Sequence, residues 1–335
     1  MNKRKIKVKF MDFWKEFDIY ESIFYQVLEE KYEVELCDDA DYIIFSGFDD
    51  QILLEPINTA IKIFYIGENE APNFNICDYA MGFEHMTLGD RYFRLPNYYN
   101  SDFYRKETEL MEHKHEFPTP PYGKYTVADL HKTDFCSFVV SNARGAEERQ
   151  MMFEKLNRYK KVNSGGRFLN NVGGPVAVKI EFESKHKFSI CFDNCQYRGY
   201  TTEKIVEAFA ARTVPIYWGD PDVAKVFNPK AFINVMDYPT IDAAIERIKE
   251  IDSNDDLYLS MLKEKALLDD QDTYLNTRKR LAEWLYHIID QPIEKVRRTG
   301  NGFWQCEYYW RHRNYKNAYD NPLKTYLRRL KQRLF

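Results

Sequence analysis

The stretch from residue 187 to residue 219 restricts the fold more than any other part of this chain. Its sequence is KFSICFDNCQYRGYTTEKIVEAFAARTVPIYWG. Large apolar residues alternate with smaller ones over 188–192 and predict a buried strand, and 214–218 is a second apolar run of strand type. Between them, apolar residues recur at helical spacing: Ile205, Val206, Phe209 and Ala210. The order strand, helix, strand is a βαβ unit, in which ligands bind beyond the carboxyl ends of the strands.

The junction between the first strand and the helix is unusually polar. The segment 194–200 contains a glycine and predicts a turn, after which Thr201 or Thr202 can cap the helix. Glu203 suits the positive end of the helix dipole, whereas Lys204 beside it opposes that dipole. A nucleotide-sugar site would use such a pair, the carboxylate for ribose hydroxyls and the ammonium for a diphosphate. Exposed Glu–Lys pairs are also common on helices without any function, so the two residues alone leave both interpretations open.

Two long blocks resemble a known family. The run FDNCQYRGYTTEKIVEAF…TVPIYWGDPDVAKVFNPKAFINV (192–235) closely resembles the donor-binding signature of the α-1,3-fucosyltransferases, glycosyltransferase family 10. The run YIGENEAPNFNICDYAMGFEHMTLGDRYFRLPNYY (65–99) resembles the acceptor-side block of the bacterial members. Together with 138–157, the likeness covers most of residues 60–250. It implies the α/β fold of GT-B type, in which two Rossmann-like domains face each other across a cleft.

The resemblance also assigns donor-binding residues. Lys204 and Arg149 match the cations that contact the diphosphate, and Glu203 matches the carboxylate that binds ribose. Asn194 and Tyr200 match positions that contact the donor. The competing interpretations are purely structural: Arg149 pairs with a neighbouring glutamate of its own helix, and Tyr200 is a packing residue.

Asp193 departs from the pattern, because many members of the family have Glu there. An aspartate reaches one methylene less far, which leaves the role of this position open.

For the catalytic base, the resemblance points to Glu68, which lies in a Gly-Glu-Asn block directly after a predicted strand. Glu70 is the alternative. Arg91 and Arg94, further along the same block, are with Glu70 the candidates for the acceptor side. The structural interpretation is that Glu68 or Glu70 is a loop acid that pairs with one of these arginines.

The implied reaction is inverting transfer of L-fucose from GDP-β-L-fucose to the 3-hydroxyl of GlcNAc in N-acetyllactosamine-type glycans, which gives Lewis x. With cations at the diphosphate no cofactor or metal is required, and a divalent cation such as Mn²⁺ or Mg²⁺ is at most a stimulant that helps GDP leave. Two rival hypotheses remain. One is a GT-B transferase with a different nucleotide sugar or acceptor. The other is a non-enzymatic glycan-binding module, suggested by the 16% aromatic content.

The length of 335 residues allows two domains with separate cores. We predict an acceptor-side α/β domain over 1–130, with a loop and linker over 100–133, a donor-binding α/β domain over 131–300, and a tail over 301–335. The net charge of −4 argues against a nucleic-acid partner.

Metal and disulfide chemistry have little support in the sequence. Two acidic clusters could be mistaken for a metal-binding DxD motif: Asp38-Asp39 with Asp41, and Asp49-Asp50. We interpret both as solvated loop acids, because no other candidate ligands lie beside them in the sequence. The six cysteines are scattered, and no histidine cluster completes a zinc site. They are typical of reduced thiols in a cytoplasmic protein.

The end of the chain predicts a basic amphipathic helix, since its apolar residues recur at helical spacing: Leu323, Tyr326, Leu327, Leu330 and Leu334. Two interpretations stay open: docking on the chain's own domain, or peripheral contact of 316–335 with an anionic membrane. The start of the chain lacks the apolar core of a signal peptide. The expected location is therefore the cytoplasm, with the inner face of a bacterial inner membrane as the surface that such a tail would reach.

Overall fold

The computed structural model describes residues 3–56, 59–100, 131–268, 274–300 and 302–319. The chain forms two compact units. The first comprises Met1–Gly82, Met86–Leu95 and Leu275–Phe335, and the second comprises Phe83–His85 and Pro96–Tyr274. Each unit is built on one parallel β-sheet, which confirms the predicted α/β class.

The sheet of the first unit has six parallel strands in the order β2-β1-β3-β4-β5-β6. The strands are β1 (Arg4–Met11), β2 (Tyr32–Leu36), β3 (Tyr42–Phe45), β4 (Ile61–Tyr65), β5 (Tyr79–Gly82) and β6 (Tyr92–Arg94). Helix α1 (Ile23–Lys31) joins β1 to β2 and begins where the Ser22 hydroxyl accepts a hydrogen bond from the Tyr25 amide at 3.2 Å. Its buried face is the one that the periodicity predicts: Ile23, Phe24, Val27 and Leu28.

The sheet of the second unit has five parallel strands in the order β11-β10-β9-β7-β8. The strands are β7 (Asp134–Phe138), β8 (Val162–Ser164), β9 (His186–Phe192), β10 (Val214–Trp218) and β11 (Ile233–Asn234). The helices are α2 (Glu147–Tyr159), α3 (Lys179–Glu183), α4 (Glu203–Ala210), α5 (Ile241–Ser253) and α6 (Asp255–Lys263). The predicted βαβ unit is therefore β9-α4-β10, with Phe188 paired to Val214 and Phe192 to Trp218.

The last described helices belong to the first unit. They are α7 (Tyr274–Ile289), α8 (Ile293–Val296) and α9 (Phe303–Tyr319). Asp78, just before β5, accepts hydrogen bonds from the backbone amides of Arg298 at 2.8 Å and Thr299 at 2.6 Å. The Lys62 ammonium in β4 donates to the Tyr309 hydroxyl of α9 at 2.9 Å. The boundaries predicted at 130 and 300 differ from this division, because apolar periodicity identifies a helix but not the sheet on which it packs.

The short strands β5, β6 and β8 carry too few residues to show a period, and the sequence does not reveal them. The residues 323–334 of the predicted amphipathic tail and most of the predicted linker lie outside the described residues. None of the helices that the structure describes is long and apolar enough to cross a membrane. None of the six cysteines forms a disulfide bond.

Candidate active site

The loop between β9 and α4 is held in place by close backbone packing. Gly199 has a φ of +81°, and a Cβ atom there would lie 2.7 Å from the Phe83 carbonyl oxygen, so only glycine fits. Tyr200 follows with 2% of its surface exposed, and its ring lies edge-on to the Phe83 ring at 5.0 Å. The Asn194 carbonyl accepts a hydrogen bond from the Ala146 amide at 2.9 Å, which joins the loop to the start of α2.

Asp193 is the centre of a buried hydrogen-bond network beneath this loop. Its carboxylate is fully buried and accepts hydrogen bonds from the hydroxyls of Thr202 and Tyr217, the latter at 2.6 Å. The Tyr217 hydroxyl accepts from the Asp220 amide at 2.8 Å, and Asp220 accepts from the Thr201 hydroxyl at 2.8 Å. Burial raises the pKa of Asp193 to about 6, although Lys204 opposes that shift. Asp193 thus organises the loop from inside the protein, which gives a physical role to the position that departs from the family pattern.

Lys204 and Glu203 lie at the first turn of α4, as predicted. The Lys204 ammonium donates to the Glu203 carboxylate and to the Thr202 hydroxyl, both at 3.1 Å. Thr202 occupies the N-cap position but makes no capping hydrogen bond, because its hydroxyl is shared between Lys204 and Asp193. Burial alone would raise the pKa of Glu203, but Lys204 and Lys179 outweigh it and lower the pKa to about 2. Glu203 is therefore an anion across the physiological range.

Arg149 lies on α2 with 4% of its surface exposed. Its Nε atom donates to the carbonyl oxygens of Phe192 at 3.1 Å and Asp193 at 2.9 Å, directly after β9. Burial lowers its pKa, but a guanidinium keeps its charge in proteins. Within the described part of the chain, neither terminal nitrogen makes a hydrogen bond, and Arg149 forms no ion pair with a glutamate of its own helix. The backbone of the loop thus fixes a cation whose terminal nitrogens remain available to an anion.

Lys179, on α3, contacts α4 and is a residue that the sequence did not single out. Its ammonium contacts Glu207 of α4 and lies 3.9 Å from Glu183. Burial alone would lower the pKa of Lys179, but these carboxylates and Glu203 raise it. A lone lysine after a glycine-rich segment carries no motif, so only the fold reveals this neighbour of Glu203.

In the first unit, Glu68 and Glu70 lie in the loop after β4, at the carboxyl edge of the sheet, and both are exposed. The loop is tight, since the Glu70 amide donates to the Glu68 carbonyl at 2.8 Å. The Glu70 carboxylate packs beside Gly47, where a Cβ atom would lie 2.7 Å from Oε2. Although the residue as a whole is exposed, partial desolvation of its carboxylate, followed by the charge of Asp50, raises the pKa of Glu70. The structure therefore places both candidate bases where ligands reach a parallel sheet.

Arg91 and Arg94 lie at opposite ends of β6. Arg94 is the last residue of β6 and lies at the same carboxyl edge as Glu68. Arg91 precedes β6 and donates to the Asp78 carbonyl at 2.9 Å and the Cys77 carbonyl at 3.1 Å, at the amino end of β5. The structure thus does not bring Arg91 to the candidate acceptor side, because its guanidinium donates hydrogen bonds to backbone carbonyls at the amino edge of the sheet.

A metal centre has no ready-made ligand set here. No group of three or more His, Cys, Asp or Glu side chains able to hold a metal ion occurs among the described residues. Lys204 and Arg149 are cations near the carboxyl end of β9, and cations of this kind suit a diphosphate.

Comparisons with known proteins identify the family of the chain. A model described as the alpha-(1,3)-fucosyltransferase FucT N-terminal domain matches residues 8–101, and one described as glycosyltransferase family 10 (fucosyltransferase) C-term matches residues 130–286. The chain is 36% identical over 294 residues to alpha-(1,3)-fucosyltransferase FucT of Helicobacter pylori, which covers 78% of this chain and 60% of that protein. It is 27% identical over 232 residues to 4-galactosyl-N-acetylglucosaminide 3-alpha-L-fucosyltransferase 9 of Bos taurus, which covers 64% of this chain and 54% of that protein.

The fold is shared with a solved structure. A crystal structure of an alpha1,3-fucosyltransferase with GDP-fucose matches at a TM-score of 0.70 and 32% identity, over 87% of this chain and 92% of that chain. The fold class is therefore that of a GT-B glycosyltransferase. The chain belongs to glycosyltransferase family 10, the fucosyltransferases. It spans 60% and 54% of the lengths of the two curated relatives.

Proposed function

We propose that this chain is an inverting α-1,3-fucosyltransferase, which moves L-fucose from GDP-β-L-fucose to the 3-hydroxyl of GlcNAc in N-acetyllactosamine-type glycans. The observation that carries the proposal is the array of Lys204, Glu203 and Arg149 around the carboxyl end of β9. This array lies in a chain 32% identical to a structure that contains GDP-fucose. The acceptor follows from the name of the bovine relative, a 4-galactosyl-N-acetylglucosaminide 3-fucosyltransferase, and the product would be Lewis x.

The donor would be held at the start of α4. Arg149 and Lys204 would neutralise the diphosphate, aided by backbone amides of the helix start, and thereby stabilise the charge that develops as GDP leaves. Glu203, already ionised at neutral pH, would accept hydrogen bonds from the ribose hydroxyls. Asn194 and Tyr200 would contact the remainder of the donor. The buried ring of Tyr200 leaves its hydroxyl as the more suitable contacting group.

Inversion requires a single displacement. The acceptor hydroxyl is too weak an acid to ionise at pH 7, so a carboxylate must take its proton as the new glycosidic bond forms and the bond to GDP breaks. We assign this role to Glu68. The sugar passes through an oxocarbenium-like state, as in glycoside hydrolysis, and the cations then carry the charge of the leaving diphosphate.

Direct assay tests the proposal. The full chain is incubated with GDP-fucose and a panel of N-acetyllactosamine, its type 1 isomer and lactose, with and without EDTA, and products are read by mass. We expect a fucosylated trisaccharide from N-acetyllactosamine in both conditions, because fixed cations replace a metal at the diphosphate. Mn²⁺ or Mg²⁺ would at most increase the rate. Complete loss of transfer in EDTA that Mn²⁺ restores would contradict the metal-independent mechanism.

Nucleotide binding separates this function from a transferase with another donor. A nucleotide raises the melting temperature of the protein only if it binds the folded state, and the rise grows with the ratio of the nucleotide concentration to its Kd. We expect GDP to raise the Tm and UDP and CMP to leave it unchanged. Stabilisation by UDP alone would reassign the donor. A glycan-binding module without enzyme activity would respond to none of the three.

Location and membrane contact form a separate part of the proposal. We infer a cytoplasmic enzyme whose residues 316–335, with their basic and apolar composition, attach it to the inner face of a bacterial inner membrane. A chain ending at Pro322 should lose its binding to anionic liposomes while it keeps fucosyl transfer in solution. Equal liposome binding by the full and shortened chains would contradict the attachment.

A further inference from the structure

Aromatic side chains gather where β1 and β3 end in the first unit. The aromatic platform consists of Phe13, Trp14, Phe17 and Phe48. Phe13 stacks on Phe17 with ring centroids 3.9 Å apart, and Trp14 lies edge-on to Phe17 at 4.9 Å and to Phe48 at 5.6 Å. Phe48 remains 46% exposed. Apolar surface left in water forgoes the stabilisation that burial would give, so a grouped, partly exposed set of rings indicates a binding surface.

The backbone that carries these rings is fixed. The Phe48 amide donates to the Asp12 carbonyl at 3.0 Å, which ties the end of β3 to the end of β1. The Asp12 carboxylate accepts hydrogen bonds from the backbone amides of Gln51 at 3.1 Å and Ile52 at 2.8 Å. The platform is therefore formed before any ligand arrives, which lowers the ordering cost of binding.

A depression of about 510 Å³ adjoins the platform. It is lined by the end of β1, including Asp12 and Phe13, and by Asp49, Gln51 and Glu55 of the following segments. Its size falls within the roughly 300–1,000 Å³ of small-molecule sites. The indole nitrogen of Trp14 makes no hydrogen bond within the described part of the chain, so the same surface offers ring faces, carboxylate acceptors and an N–H donor.

The charges of the depression select among ligands. Three of its lining residues are acidic, and the one basic residue, Lys9, is already paired with Glu55 at 2.7 Å and with Asp38 at 3.2 Å. An anionic ligand would therefore be repelled. A neutral pyranose suits the site, since its C–H face stacks on an aromatic ring and its hydroxyls donate to carboxylates.

The platform shares its edge with the candidate base. β1, β3 and β4 are successive neighbours in the sheet, and all end at this edge. Phe13 lies 6.5 Å from the ring of Tyr65, the last residue of β4, and a Cβ atom on Gly67 would lie 3.5 Å from the Tyr65 hydroxyl. Glu68 is the next residue along. The rings, the depression and Glu68 thus belong to one continuous strand edge of one unit.

We propose that the aromatic platform and its depression form an acceptor subsite that binds a neutral pyranose of the glycan next to the residue that receives fucose. This inference rests on the proposed transferase function, which it deepens by locating the acceptor. Phe48 supplies the exposed ring face, and the acidic lining excludes acceptors that bear a carboxylate or a sulfate at that pyranose.

Kinetics with two variants test the subsite. Phe48→Ala should raise the acceptor KM about three- to tenfold, the effect expected from the loss of one ring contact. The KM for GDP-fucose and the rate of GDP-fucose hydrolysis without acceptor should be unchanged, and Phe48→Trp should restore the acceptor KM. Phe303→Ala is the matched control, because Phe303 is a more exposed phenylalanine (73%) of the same unit on α9. An unchanged acceptor KM in Phe48→Ala, or an equal rise in Phe303→Ala, would overturn the subsite.

Equilibrium binding separates failure of the subsite from failure of the function. Saturation-transfer NMR with N-acetyllactosamine and no donor should detect binding to the full chain that weakens in Phe48→Ala and is absent for a sialylated analogue. If the glycan binds in this way but no fucose is transferred, the proposed function fails and the subsite stands. If fucose is transferred while binding ignores Phe48 and favours the sialylated glycan, the subsite fails and the function stands.

Discussion

The two sheets carry different kinds of chemistry at their carboxyl edges. In the second unit the edge is closed, because Asp193 and Asp220 are buried and share hydrogen bonds with Thr201, Thr202 and Tyr217. In the first unit the edge is open, and exposed carboxylates and aromatic rings line it. The difference separates two tasks. A buried network would fix the groups of a site for one invariant charged ligand, whereas an open edge would present a base and ring faces to a variable ligand.

The largest expected effect comes from the open edge. Glu68→Gln should lower kcat by about two to four orders of magnitude, the range for loss of general base catalysis, while GDP-fucose binding is kept. Rate and donor affinity are measured by mass-detected turnover and by titration calorimetry. Glu70→Gln, two residues away in the same loop, is the control and should retain most of the rate. The opposite ranking of the two variants would transfer the base role to Glu70.

The next effect tests the closed edge. Lys204→Met should lower kcat about 10²- to 10³-fold, because the leaving diphosphate loses a fixed charge. It should also weaken GDP binding. Lys225→Met is the matched control, since Lys225 is an exposed lysine of the same unit that pairs with Asp222 at 3.1 Å. Equal activity of both variants would show that the α4 start does not stabilise the leaving group.

A smaller effect concerns the pH dependence of stability. The pKa of Asp193 is raised from 3.8 to about 6 by burial, so the folded state binds a proton that the unfolded state has lost. Stability that is present below pH 4 is therefore lost as the pH rises toward 6, by about 3 kcal/mol at most. Urea unfolding across this window should show a smaller decline in Asp193→Asn than in the wild-type chain, with the remainder due to buried Glu183, whose pKa burial also raises to about 6.

Asp252 supplies the control of opposite sign. Burial alone would raise its pKa, but hydrogen bonds from Lys160 and Lys187 keep the pKa below its ordinary value. Its contribution is present above pH 4 and is lost as the pH falls below that value, so Asp252→Asn should keep the wild-type decline between pH 4 and 6. A decline that is undiminished in Asp193→Asn would mean that other carboxyls, such as buried Glu183, control this window and Asp193 does not.

The sequence predicts the parts of the donor site that lie together along the chain. The strand, the polar turn and the helix start at Glu203 and Lys204 are recognisable because period and composition change within 30 residues. The network beneath them is not recognisable. Tyr217 reads as one more apolar residue of a buried strand, and its hydrogen bond to Asp193 exists only once β9 and β10 pair.

Charge without a motif is equally hard to read from sequence. The role of Lys179 depends on Glu203 and Glu207 of another helix. Arg91 does not reach the candidate acceptor side, because it precedes β6 and its guanidinium donates to backbone carbonyls at the amino end of β5. The predicted domain over 131–300 includes α7, whereas the structure packs almost all of this helix in the first unit. Apolar spacing reports which face of a helix is buried, and the partner sheet is chosen by tertiary contacts.

The return of the chain to its first sheet has a consequence for biosynthesis. Asp78 and Lys62 obtain some of their hydrogen-bond partners from residues 298, 299 and 309. A ribosome adds those residues after the second unit, so the second unit can fold first while Asp78 and Lys62 of the first sheet still lack these partners. A chaperone that shields nascent chains would therefore meet the amino-terminal strands for most of the time that translation takes.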